Sequence, residues 1–181
     1  ISVPKSTLNN IYKKIRAYPW KMMQNVNGWE YGTNYNFLKK ISQYWVSKYN
    51  WKKFENKINS FKNYKTNVDG INLHFIIEKS KNPKSRPLLL LHGWPGSVIE
   101  FFEIIPRLAH PEKFGGKIED GFDVIIPSLP GFGFSTPIKK ALGPRQIGKI
   151  LNKFMVKNLG YKNYVVQGGD WGATIAAWIG L

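Results

Sequence analysis

Gly168-Gly169-Asp170-Trp171-Gly172 decides the reading of this chain. The pentapeptide lies between a short apolar run, residues 164–167, that suits a buried strand and a run, residues 173–179, that suits a helix. Strand, tight turn and helix in that order form a nucleophile elbow, a turn that lifts one side chain clear of the sheet. Such a turn holds its central residue in a strained backbone conformation. Small residues are therefore required two before and two after it, here Gly168 and Gly172, to keep strand and helix from colliding.

The central residue is aspartate where the commonest form of the motif has serine. A carboxylate attacks an sp³ carbon and forms an alkyl ester, which suits epoxide opening or halide displacement better than ordinary ester hydrolysis. The competing reading is an aspartate that only caps the following helix.

Upstream, residues 88–91 are all leucine, a strand buried on both faces, and they run into His92-Gly93-Trp94-Pro95-Gly96. In an α/β-hydrolase one oxyanion-hole amide comes from the loop after the third strand and the other from the residue following the nucleophile. Those donors are here the N–H groups of Trp94 and Trp171. Pro95 has no N–H and can only shape the loop. His92 is a poor candidate for the base, because the order in this fold is nucleophile, acid, then histidine. It is grouped with Gly93 and Pro95 as loop support. A third segment, Pro130-Gly131-Phe132-Gly133-Phe134-Ser135, follows the strand at 123–129 and is expected to be a tight turn lining the pocket; it lacks the spacing of a dinucleotide fingerprint.

Around these motifs the chain divides into a helical region, 1–62, and an incomplete α/β core, 63–181. In the first, Phe37, Leu38, Ile41, Tyr44, Trp45 and Lys48 recur at helical spacing and predict a buried aromatic face, and 51–58 predicts a short helix burying Trp51, Phe54 and Ile58. In the second, 64–67 and 72–78 predict strands joined at Asp69-Gly70, a strong hairpin signal. Residues 97–108 and 146–159 predict helices. The alternation gives a mixed, mainly parallel sheet with right-handed crossovers.

With 43% hydrophobic residues and 15% aromatics over 181 residues the chain is globular. It has no cysteine, which excludes disulfides, thiolate metal sites and a cysteine nucleophile. No apolar run is long enough to span a bilayer. The balance of 27 basic to 11 acidic residues, net +16, reads first as a solvated basic face and second as contact with a membrane surface. Nucleic-acid binding is not expected, since the excess is lysine scattered among asparagine rather than an arginine patch interleaved with aromatics.

Together, these motifs in this order resemble the epoxide hydrolases, and the microsomal branch that includes the juvenile hormone epoxide hydrolases. Upstream, Trp29, Tyr31-Gly32-Thr33-Asn34, Tyr44-Trp45, Lys48-Tyr49-Asn50-Trp51, Phe61 and the stretch from Asp69 to Ile77 are similar to that branch's N-terminal region. The resemblance implies an α/β-hydrolase fold and cofactor-free hydrolysis of a small apolar epoxide, of juvenile hormone or xenobiotic type, to a diol. It further implies attack by Asp170, two lid tyrosines on the departing oxygen and a histidine–acid pair that activates water. It also implies an endoplasmic reticulum or microsomal location. His74, His92 and His110 all precede Asp170, so the histidine–acid pair and the lid are not expected within these residues, and the polypeptide alone is expected to be inactive. The nearest rival is a haloalkane dehalogenase, which uses the same aspartate–tryptophan elbow; the other is a non-catalytic binding protein.

Overall fold

A computed structural model describes residues 1–24 and 28–181 as two compact units, Ile1–Ile58 and Asn59–Leu181. The first is helical: α1 spans Lys5–Arg16, α2 Tyr35–Ser47 and α3 Trp51–Asn59. Asn34 caps α2 by accepting from the Phe37 N–H at 3.0 Å. On α3, Glu55 accepts from the Val3 N–H at 2.7 Å and the Trp51 indole at 3.1 Å, and is paired with Lys52. Lys52, then the Val3 amide, hold this carboxyl down to about 2. The buried face of α3 thus includes a carboxylate beside Ile58, while Trp51 and Phe54 are only half-buried.

The expected aromatic face of α2 is not core. Phe37, Ile41, Tyr44 and Trp45 are all exposed, and the half-buried positions are Tyr35, Leu38, Ser42 and Val46. Both sets have helical spacing. Periodicity locates an apolar stripe, but which side a neighbouring helix covers is set by the path of the chain.

The second unit is built on a five-stranded sheet. Its strands are β1 (Asn63–Val68), β2 (Ile71–Glu78), β3 (Arg86–Leu91), β4 (Phe122–Pro127) and β5 (Val165–Gly168), in the order β1-β2-β4-β3-β5. The first two pairings along that order are antiparallel and the last two parallel. At the hairpin, Asp69 and Gly70 have φ of 52° and 82°, the left-handed pair that a two-residue turn needs, and Val68 pairs with Ile71. Strand β2 is buried continuously from Leu73 to Ile76 rather than alternating, because both of its faces are covered.

Helix α5 spans Pro144–Lys153, continues as a π turn over Phe154–Asn158, and packs beside α6, Trp171–Gly180. Leu89, Leu91, Ile125, Leu151, Phe154 and Ile175 meet in the core between these helices and the sheet. The helix expected at 97–108 is instead a 3-10 turn, Val98–Phe101, followed by the short α4, Ile105–Ala109. Pro106 explains the restart: it has no N–H to continue a helix from Phe102 and is favoured in a first turn.

His74 on β2 is buried inside a closed polar circuit. Its Nε2 lies 2.9 Å from Asn63 Oδ1, its Nδ1 2.9 Å from Ser128 Oγ, and its backbone N–H donates to Ser135 Oγ at 2.9 Å. Ser135 Oγ in turn donates to the Ser128 carbonyl at 2.7 Å. Burial, then Lys65, pull the imidazole down to about 4. A folded-state pKa below the ordinary histidine value means stability that is complete above about 6.5 and is lost as pH falls through about 4. Urea midpoints measured from pH 8 down to pH 4 are expected to fall across that window by about 2 kcal/mol of stability. The His74→Gln variant, which takes up no proton, is expected to show a flatter profile.

Candidate active site

Strands β3, β4 and β5 run parallel, so the loops that leave their C-terminal ends share one edge of the sheet, where ligands bind in folds of this kind. Leu91 at the end of β3 pairs with Gly168 at the end of β5. Immediately beyond, Asp170 has φ 51° and ψ −124°, outside the regions that residues with a side chain normally occupy. The glycines around it have named obstacles. A Cβ on Gly168 would lie 2.3 Å from the Gly172 carbonyl, and one on Gly172 would lie 2.2 Å from Leu91 O and 2.8 Å from His92 O.

Apart from the adjacent Trp171 amide, the Asp170 side chain makes no capping hydrogen bond to α6, which sets aside the helix-cap reading. Its Oδ1 accepts from the Trp94 N–H at 2.8 Å. The Trp94 amide, then the Trp171 amide, hold the exposed carboxyl below its usual range, so it is ionised at neutral pH. Gly93 allows that approach: a Cβ there would sit 2.5 Å from Asp170 Oδ1. An open depression of about 440 Å³ is lined by Gly93, Trp94, Pro95, Gly96, Glu100 and Asp170 together with Gly169.

None of the three histidines lines this depression. His92 is buried, with Nε2 accepting from the Leu129 N–H at 3.0 Å and Nδ1 lying 3.0 Å from Gly93 O. Both nitrogens are engaged, and burial lowers its pKa. It acts as a clamp between the loops that follow β3 and β4. His110 lies 2.8 Å from Glu78, within the sheet unit. The glycine-rich turn also departs from expectation. Residues 130–135 do not line the depression; Phe132 packs its ring against His92, with centroids 5.4 Å apart, so this turn backs the site.

Glu100 escaped the sequence reading. Its signal was present, because Ser97 and Glu100 are spaced as a capping box and form one. The clamp from Leu129 to His92 left no local signal, since it joins residues that only the sheet brings together. Among the described residues, no cluster of His, Cys, Asp and Glu is arranged to hold a metal.

Two protein families match. The one described as "Epoxide hydrolase N terminus" covers residues 1–101, and the one described as "alpha/beta hydrolase fold" covers residues 86–181. Juvenile hormone epoxide hydrolase 1 of Ctenocephalides felis is 37% identical over 97% of this chain and 38% of its own length. Epoxide hydrolase 1 of Oryctolagus cuniculus is 38% identical over 93% of this chain and 38% of its own length. The crystal structure of juvenile hormone epoxide hydrolase from Bombyx mori superposes with a TM-score of 0.85 at 34% identity, covering 99% of this chain and 42% of that one. The chain therefore spans about two fifths of the length of these relatives.

The packing at the elbow separates its glycines. Gly172→Ala forces a methyl group into the Leu91 carbonyl and is expected to cost about 2–3 kcal/mol in urea unfolding. Gly169→Ala meets nothing within 4 Å and is expected to stay within about 0.5 kcal/mol of the parent.

Proposed function

Because the chain belongs to the epoxide hydrolase family of α/β-hydrolase fold proteins, we propose that it carries the nucleophile and oxyanion hole of an enzyme that opens epoxides to vicinal diols. The observation that carries this reading is the ionised Asp170 on a strained elbow with the Trp94 N–H on one of its oxygens.

In the first step the other carboxylate oxygen, Oδ2, attacks an epoxide carbon. The C–O bond of the ring breaks, its electron pair stays on the departing oxygen, and that oxygen takes up a proton from solvent. The product is an ester between Asp170 and the substrate. In the second step water adds to the Asp170 carboxyl carbon, and negative charge develops on Oδ1, where the Trp94 amide lies ready to receive it, with the Trp171 amide also lowering the energy of the charged carboxyl group. Collapse breaks the bond from the carboxyl carbon to the attacking oxygen, which leaves in the diol with the second proton of the added water, and the oxygen of water stays in the carboxylate. The water must lose a proton to a base in this step. No described histidine is placed to take it.

The substrate we propose is a small apolar epoxide. The exposed Trp94, which lines the depression beside Asp170, supports an apolar ligand, and the names of the relatives favour juvenile hormone over xenobiotic epoxides, whose hydrolysis would be detoxification. We propose a location at the endoplasmic reticulum or microsomal membrane. This location is proposed from the family resemblance, and the net charge of +16, which favours an anionic lipid surface, adds mild support; no described helix is long and apolar enough to cross a membrane.

Two experiments test these proposals. Incubation with a small aryl epoxide, followed by intact-mass and peptide mass spectrometry, is expected to show one added epoxide on the peptide carrying Asp170 and none in Asp170→Asn. An equal adduct in the variant would overturn the role of Asp170. For the membrane, flotation with phosphatidylserine vesicles is expected to carry the protein at low salt and release it at high salt; equal binding to neutral vesicles would refute charge-driven association.

A further inference from the structure

Building on the proposed role of the Trp94 amide, we infer that Glu100 is a positioning residue that fixes the 93–96 loop so that the Trp94 N–H points at the Asp170 carboxylate. The loop has an anchor at each end. At the first, His92 holds Gly93 and the Leu129 amide. At the second, Glu100 Oε1 accepts from the Ser97 N–H at 3.0 Å, while Ser97 Oγ accepts from the Ile99 N–H at 3.4 Å.

Between the anchors, Pro95 has no N–H to offer and the Trp94 N–H is spent on Asp170. The loop is therefore held from its ends. Glu100 also sets the path of the chain through Gly96, where a Cβ would fall 1.4 Å from Glu100 Oε1 and 3.2 Å from Gly93 O. The carboxylate occupies the space that a side chain at position 96 would need. It lines the same depression as Asp170, so a change at this anchor reaches the nucleophile through a few residues of loop.

The test does not require turnover, so it is separate from the proposed reaction. In this chain, the Asp170 carboxyl is titrated by carbon-13 NMR and the Trp94 amide is followed by hydrogen exchange. Glu100→Ala is expected to move the Asp170 midpoint upward, toward the ordinary carboxylate value, and to speed Trp94 exchange roughly fivefold to tenfold, as befits loss of one net hydrogen bond. Glu100→Gln keeps an acceptor for the Ser97 N–H and is expected to restore both readings. Gly96→Ala leaves residue 100 intact but displaces its carboxylate, and is expected to reproduce Glu100→Ala.

A purely electrostatic role gives a different pattern: loss of a neighbouring negative charge would lower the Asp170 midpoint in the Ala and Gln variants alike. That result, or no change in any variant, would overturn the assignment. So would global unfolding of both Glu100→Ala and Gly96→Ala, which would make Glu100 a residue of the fold rather than of the site. If only Glu100→Ala fails to fold, Gly96→Ala decides by the same two readings.

Discussion

The close approach of α6 to the end of β3 is the constraint on which the site depends. Gly172 lies where a single methyl group would fall 2.2 Å from Leu91 O, and Gly168 lies where one would strike the Gly172 carbonyl. Gly168 and Gly172 bracket the turn from β5 into α6, and within it Asp170 takes the strain at φ 51°. The strain has a use, because it presents the carboxylate at the sheet edge with the Trp94 and Trp171 amides on it. A looser junction would let Asp170 relax and lose those donors.

Two buried histidines serve as braces, and both hold the turn after β4. His92 ties the turn after β3 to the turn after β4 through the Leu129 amide, and Phe132 packs on its ring. His74 ties β2 to the Ser128–Ser135 turn. Burial disfavours the charged form of both, which suits neutral imidazoles that bridge one donor and one acceptor. A histidine near an active-site loop invites assignment as a base. Here two of them keep the loops at their spacing, and neither lines the depression.

The resemblance to epoxide hydrolases was legible because the motifs that carry it are local. The elbow is five residues, the loop after β3 is five residues, and each states its chemistry through residue types alone. The N-terminal family match over residues 1–101 separates the chain from the dehalogenases that share an aspartate–tryptophan elbow. Errors arose where a local pattern had to stand for a spatial relation. The α2 stripe predicted a core face that is exposed, the 97–108 pattern ran past Pro106, and a glycine-rich turn expected to line the pocket stands behind it.

By itself the sequence determined the order of strands and helices, the hairpin at Asp69-Gly70, the two glycines of the elbow and the carboxylate at its centre, since backbone strain and hydrophobic period are written in neighbouring residues. Only the tertiary structure decided what stands beside what. The Leu129 amide on His92 and the circuit around His74 join residues 37 and 54 positions apart. Such contacts are set by strand order and by the loops at one edge of the sheet, and no window of sequence contains both partners.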